Sequence, residues 1–374
     1  MTRIMSLLTI AAGLIFGLPD CNGQTESPTV DGPEASDLVE RLRGYVLTDD
    51  TGDVTAISLP DRTSRVVYAP RRTANGLGAT IHALSGPDRE GRIAFIEDYF
   101  FVASQKDKRH LLKTVRVDGT NASQVFSRPG SAMWATTAAG NGEIGSYVSL
   151  APTGGNVAFI SRVENKQMPG ALLSEGSVEI WNVNDKTGRD VQVVAIDEPM
   201  SWFPDGKRLA YSAFVDRDAL PKGVAGLKEF GNYFGEVWDQ LPAIHVYNVA
   251  SKQSELMCVG WQAVVAHDGK AMFVGGWGGG EYRWLRFDLA ARVAEPLVLP
   301  GVSGALLGDN ADGCLLYIGL PTTGEKLQFT TNNSPLRGPK LKLSVKAATP
   351  RGDSFQTIVS AIDPRSNASF GPAE

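Results

Sequence analysis

The chain has 374 residues, 43% of them hydrophobic, which is enough for a substantial core. Its 41 glycines and 21 prolines fit a fold with many turns, and no collagen-like or low-complexity tract is present, which excludes fibrous and disordered classes. A formal net charge of −5, with no run of Lys or Arg, argues against a nucleic-acid-binding protein.

In chain order, Arg3 precedes a short apolar run at 5–18, too short for a membrane span and suited to a secretory leader. The leader, 1–23, has two readings. Cys21-Asn22-Gly23 offers small residues for cleavage before Gln24. Leu18-Pro19-Asp20-Cys21 is similar to a bacterial lipobox and would place a lipid on Cys21, although Asp20 stands where that motif wants a small residue. Either way the chain is expected to be exported, periplasmic or extracellular, touching a membrane only through a lipid anchor. Residues 24–43 read as a polar spacer.

From Gly44 a period of two takes over, with apolar residues alternating between turn signals. Short strands are predicted at 45–47, 54–58 and 65–68. A fuller unit follows at 81–84, 91–96, 112–117 and 123–126. The third unit has 147–150, 157–160, 178–183 and 191–196. The fourth opens on residues 201–213, where Trp202-Phe203 ends one run, Pro204-Asp205-Gly206 reverses the chain and Leu209-Ala210-Tyr211 begins the next. Proline presets φ at such a corner, aspartate bonds the backbone beyond it, and glycine takes a positive φ without a clash. Strands at 244–249 and 254–259 complete that unit. The fifth has 263–266, 271–274, 283–289 and 296–299; the sixth has 305–308, 315–318, 341–345 and 355–360.

The turn glycines Gly91, Gly155, Gly206, Gly269 and Gly313 are separated by 64, 51, 63 and 44 positions. Ile180-Trp181-Asn182-Val183 and Val246-Tyr247-Asn248-Val249 match across the third and fourth units. A unit of four short strands recurring every 40 to 60 residues, roughly, is a propeller blade. The sequence therefore predicts an all-β fold: a six-bladed β-propeller of four-stranded antiparallel blades over 44–363, with a tail at 364–374. The first unit is a strand short, and a chain-terminal strand is expected to complete it and close the ring.

Phe203-Pro204-Asp205-Gly206-Lys207-Arg208-Leu209-Ala210-Tyr211-Ser212 resembles the repeat of TolB-like, WD-repeat-like six-bladed propellers, in which a Ser-Pro-Asp-Gly turn precedes an Ile-Ala-Phe strand. Arg92-Ile93-Ala94-Phe95 and Asn156-Val157-Ala158-Phe159 are similar. Phe203 replaces the usual serine, and four other turns keep part of the motif. The resemblance implies docking of an envelope protein or peptide near the axial mouth. It is specific for fold and poor for activity.

Loops joining second to third strands share a face with the connections between blades, and there they are long. The candidate partner-binding residues lie on that face: Asp98, Tyr99 and Arg109 in blade two, Arg162 in blade three, Asp216, Arg217, Asp218, Trp238 and Asp239 in blade four, and Trp277 and Tyr282 in blade five. Residues 162–176 read as a long loop. Apolar residues at helical spacing in 224–238 form either a lid or an apolar cluster packed on the propeller. The glycine-rich 275–280 lies between two strands and lacks the strand-to-helix setting of a phosphate loop.

The four histidines, His82, His110, His245 and His267, fall at different levels of the predicted blades, so structural roles are expected, with His82 or His110 beside carboxylates as the metal alternative. No Cys-x-x-Cys or Gly-x-Ser-x-Gly occurs in the sequence, and Cys258 and Cys314 read as buried thiols. The reading is an exported, monomeric, non-catalytic binder of a protein or peptide, with no cofactor, metal or nucleic acid. The alternative is a propeller enzyme of polysaccharide lyase or hydrolase type with an axial site.

Overall fold

A computed structural model describes residues 42–49, 52–71, 78–99, 109–129, 142–168, 171–231, 239–278, 281–299, 302–320, 342–349, 355–362 and 368–372. The predicted leader, Cys21 and Trp238 lie outside them.

Six four-stranded antiparallel sheets form the blades of a six-bladed β-propeller. Blade one joins β24 (Ala368–Pro372), β1 (Gly44–Thr48), β2 (Val54–Leu59) and β3 (Ser64–Tyr68). Blade two comprises β4 (Ala79–Leu84), β5 (Arg92–Tyr99), β6 (Arg109–Arg116) and β7 (Ser123–Pro129). Blade three comprises β8 (Gly142–Leu150), β9 (Asn156–Met168), β10 (Ala171–Asn182) and β11 (Thr187–Ile196). Blade four comprises β12 (Ser201–Trp202), β13 (Arg208–Asp216), β14 (Gln240–Asn248) and β15 (Gln253–Val259). Blade five comprises β16 (Gln262–Val265), β17 (Ala271–Gly278), β18 (Glu281–Asp288) and β19 (Val293–Leu297). Blade six comprises β20 (Val302–Asp309), β21 (Leu315–Gly319), β22 (Leu343–Ala348) and β23 (Phe355–Ile362).

Ring closure follows from β24. It pairs antiparallel with β1, Val46 opposite Phe370, and so the end of the chain supplies the first strand of blade one. This strand falls within 364–374, the stretch read as a tail. Leu42, read as the edge of the spacer, is fully buried in the same seam.

Six apolar clusters fill the six seams between neighbouring blades. Phe126, Val157 and Phe159 lie between blades two and three, and Phe203, Met272 and Phe287 between four and five. Each fully buried side chain of this size contributes about 1.5–3 kcal/mol. Inner strands such as β5 and β17 are buried along nearly their whole length because each blade is covered on both faces, whereas β3 and β19, the outermost strands of their blades, are largely exposed. Cys258 and Cys314 are buried free thiols in separate blades.

The turn motif works as its chemistry demands. Asp205 accepts hydrogen bonds from Lys207 N at 2.8 Å and Arg208 Nε at 3.0 Å, and Gly206 sits at φ +65°. Asp88 makes the matching bonds in blade two, from Glu90 N and Arg92 N. The matched Asn182 and Asn248 each accept two backbone N–H groups in the third-to-fourth-strand turns, at the same end of their blades, Asn248 opposite Arg208 and Asn182 opposite Asn156.

Strands run further than the sequence suggests. Residues 162–176, expected as a loop, belong mostly to a long hairpin of β9 and β10, with Ala171 opposite Met168. Glu97-Asp98-Tyr99 and Gly275–Gly278 likewise continue β5 and β17. Backbone pairing extends each ladder past the point where alternation fades, because an unpaired donor or acceptor at a blade end costs more than an imperfect side-chain pattern.

Candidate binding site at the axial mouth

First strands of successive blades surround the axis. Second-to-third-strand loops and interblade connections gather at one end of it, here termed the mouth. The site there starts in β8, where the ladder with β9 shifts register between Ile144 and Val148, a bulge that takes 145–147 out of regular pairing. Asp197, in the connection from blade three to blade four, closes on that bulge. Its carboxylate accepts Ser146 N at 2.8 and 3.1 Å and Ser146 Oγ at 2.9 Å. Gly145 leaves room for it: a Cβ there would stand 3.0 Å from Asp197 Cγ. Glu198 follows Asp197, and Tyr147 follows Ser146.

Blade five supplies the other wall. Gln262, the first residue of β16, lies opposite Gly275 of β17, which lies opposite Trp284 of β18. Tyr282 reaches across Gly275, and Gln262 Nε2 donates to its hydroxyl. Only glycine permits this crossing, since a Cβ at 275 would sit 2.6 Å from Tyr282 Oη and 3.0 Å from the Trp284 ring. Trp277 packs edge-on against Tyr282, ring centres 5.5 Å apart.

These groups influence one another. Burial, then the neighbouring Asp197 carboxylate, pushes the Glu198 carboxyl up to about 8. Burial raises the Tyr147 hydroxyl, and the charges of Glu198 and Asp197 raise it further. Tyr282 is raised by burial, against the Gln262 bond, with Glu198 and Tyr147 adding to the rise. A carboxyl and two phenols, from blade three, the connection that follows it and blade five, thus sit close enough to raise one another's proton affinity, with the carboxyl holding a proton near neutrality.

Trp277 and Tyr282 lie among these groups, and the other sequence-predicted residues within the described set lie along the second-to-third-strand hairpins of their own blades. Asp98 is buried inside blade two, its Oδ1 2.7 Å from His110 Nδ1. Tyr99 ends β5; burial and then Glu97 push its hydroxyl up to about 12. Arg109 is exposed and reaches Ser127 Oγ at 3.5 Å. Arg162, exposed on β9, lies 3.6 Å from Asp190. Asp216 accepts Gln240 Nε2 at 2.9 Å, and Arg217 Nη2 donates to Gly231 O at 2.9 Å. Asp218 and Asp239 are exposed, and the Asp239 carbonyl receives Arg217 N.

The described part of the apolar insertion of blade four, 224–231, is a packed cluster, and 232–238 lie outside the described residues. Helix Leu227–Phe230 buries Phe230 against β17, and Leu220, Val224, Ala225 and Leu227 join the core between blades four and five. A Cβ at Gly276 would lie 2.9 Å from the Phe230 ring, so the glycines of β17 admit this helix rather than a phosphate. Glu198, Tyr147 and Gln262 were missed by sequence reasoning. Tyr147 and Gln262 look like ordinary strand residues, and Asp197-Glu198 like ordinary connection charge. The one available signal was Trp277 and Tyr282 flanking a glycine run.

Among the described residues, no group of three or more His, Cys, Asp or Glu is placed to hold a metal. His245 stacks on Tyr211, ring centres 5.5 Å apart, and burial lowers its basicity. No helix among them is long and apolar enough to cross a membrane.

No protein-family model matches the chain, and no curated protein sequence matches it. Among solved structures, TolB from Acinetobacter baumannii superposes with a TM-score of 0.52 at 12% identity, covering 88% of this chain and 67% of that one. A putative TolB from Agrobacterium tumefaciens matches with a TM-score of 0.49 and 12% identity, over 89% of this chain and 99% of the other. A puromycin-hydrolyzing peptidase from Mycobacterium tuberculosis matches with a TM-score of 0.49 and 12% identity, over 87% of this chain and 45% of its own. At such identities the likeness speaks for fold. The chain has a six-bladed β-propeller fold similar to that of TolB from Acinetobacter baumannii.

Proposed function

We propose that this chain is an exported propeller that binds a protein or peptide segment over its axial mouth without catalysis. The observation behind this reading is that Tyr147 of blade three, Glu198 of the connection that follows it, and Gln262 and Tyr282 of blade five lie at one end of the axis. Rigid aromatic rings with a few placed polar groups are the composition of a recognition pocket. A scaffold of paired strands holds them at low entropic cost on binding.

A photo-crosslinking residue at exposed Arg283, beside Trp277, tests the reading in cells of the source organism. The expected result is one crosslinked polypeptide from position 283 and none from Asp205, at the far end of blade four. Crosslinks from Asp205 alone, or from neither position, overturn it. Mass analysis of the mature chain reads export: a start at Gln24 or a lipid-bearing Cys21 supports it, and an intact leader opposes it.

The same mouth favours a second reading. A carboxyl whose proton leaves near pH 8 is suited to general acid chemistry. Under that reading the propeller is a hydrolase or lyase, and Glu198→Gln abolishes turnover of a polysaccharide or ester that the wild type degrades.

A further inference from the structure

A second cluster of titratable groups lies in the seam between blades one and two. Glu97 shares its face of β5 with Phe95, which belongs to that seam and whose ring centre lies 4.7 Å from that of Tyr68. The Glu97 side chain has no exposure. Its Oε2 accepts Tyr68 Oη at 2.5 Å and Lys113 Nζ at 2.6 Å, and Lys113 Nζ also donates to Tyr68 Oη at 2.7 Å. Its Oε1 is buried and has no hydrogen-bond partner. Lys113, 17% exposed, and Tyr68, partly exposed, bring the cluster to the surface. Glu97 stands two residues before Tyr99, where β5 ends toward the mouth. Tyr99 Oη feels the Glu97 charge and makes no hydrogen bond of ordinary geometry to Oε1.

We propose that this cluster seats a neutral carboxamide, the side chain of a glutamine or asparagine of the bound segment, with its N–H on Glu97 Oε1 and its carbonyl on Lys113 Nζ. The proposal rests on the peptide-binding reading and adds a contact in a different seam from Tyr282. A buried carboxylate oxygen without a donor is costly, and a placed N–H relieves that cost with a charge-assisted hydrogen bond. An ammonium carries three N–H groups, of which Lys113 spends two on Glu97 and Tyr68, so the third suits a carbonyl. The flexible four-carbon stem of Lys113 lets the ammonium shift and admit the group.

Other side chains meet an obstacle here. A carboxylate would face Glu97 Oε1 as a like charge, and a lysine or arginine would face the Lys113 ammonium. An aliphatic side chain would leave Oε1 unpaired. A hydroxyl offers a single atom, whereas a carboxamide sets a donor and an acceptor side by side, matching one carboxylate oxygen and one ammonium.

The test uses the full chain and two fluorescein-labelled glycine pentapeptides, read by anisotropy at neutral pH. One carries glutamine at the centre, and the other carries glutamate γ-methyl ester, which keeps the carbonyl and lacks the N–H. The glutamine peptide is expected to bind about tenfold tighter, the worth of one hydrogen bond to a charged acceptor. In Glu97→Gln a side-chain N–H donor replaces the acceptor Oε1, and the ratio of affinities falls to about one. The wild-type ratio stands as a test by itself where Glu97→Gln does not fold. Equal or reversed binding of the two peptides by the wild type, an undiminished preference in folded Glu97→Gln, or no binding of the glutamine peptide at about 1 mM overturns the carboxamide site. The first two outcomes leave the peptide-binding reading standing. That reading falls separately, if crosslinking at the mouth captures nothing.

Discussion

Glu179 and Glu198 place the same side chain in two confined settings, and their carboxyls move in opposite directions. Glu179 lies in the seam between blades two and three. Burial acts to raise it, but Arg128, Ser161 and Trp181 all donate to its oxygens and hold it below the usual carboxylate range. The Arg128 guanidinium is itself packed over the rings of Phe126, Phe159 and Trp181, 4.9 to 5.6 Å from their centres. At Glu198, burial and then the neighbouring Asp197 carboxylate act in one direction, and the carboxyl rises to about 8. Donors and a cation lower one carboxyl, and burial beside a like charge raises the other. In the seam between blades one and two, Tyr68 Oη and Lys113 Nζ both donate to Glu97 Oε2, at 2.5 and 2.6 Å, and Oε1 is buried without a hydrogen bond.

The strongest way to break this contrast is to remove the donor from the seam. Arg128→Met keeps the stem against the rings and leaves Glu179 buried with an unpaired charge. It should cost about 3 kcal/mol in urea denaturation at neutral pH. A group whose folded value is depressed contributes stability above its unfolded value of 4.5 and loses it as pH falls below. The difference between wild type and variant should therefore shrink in acid. A difference independent of pH would show that Arg128 acts by packing alone.

Glu198→Gln should behave in the opposite sense. The folded protein keeps a proton on Glu198 that the unfolded chain gives up above 4.5, so the wild type loses stability as pH rises from there to about 8. The variant lacks this loss and should be more stable by about 1–2 kcal/mol above pH 8, with no gain in acid, allowing for screening of a carboxyl that keeps some exposure. Equal stability of the two proteins at both pH values would place Glu198 in a solvated setting and remove the contrast.

The smallest effect sharpens the count of donors. Trp181→Phe keeps an aromatic ring beside Phe126 and Arg128 while deleting the indole N–H that bonds Glu179 at 2.9 Å. About 1 kcal/mol is expected, measured as a shift in the urea midpoint without a change in slope.

Much of the fold was legible in residue order. Pro204-Asp205-Gly206 is a local device, with each bond closing within three residues, so sequence reports it directly. Asn182 and Asn248 match because both do the same job at equivalent turns, again within three residues. The site was legible in one part: Tyr282 and Trp277 stood out as aromatics flanking glycines. Asp98 shows the limit. As a sequence it is loop charge, and in the blade it is a buried partner of His110.

The sequence by itself determined the blades: alternation, turn chemistry and the recurrence of both are short-range properties written in consecutive residues. Only the tertiary structure decided the mouth. Tyr147, Glu198, Gln262 and Tyr282 are separated by tens of residues, and their protonation depends on how ring closure excludes water around them. The donors that lower Glu179 and the burial beside Asp197 that raises Glu198 belong to no residue type; both arise only when six blades pack around one axis.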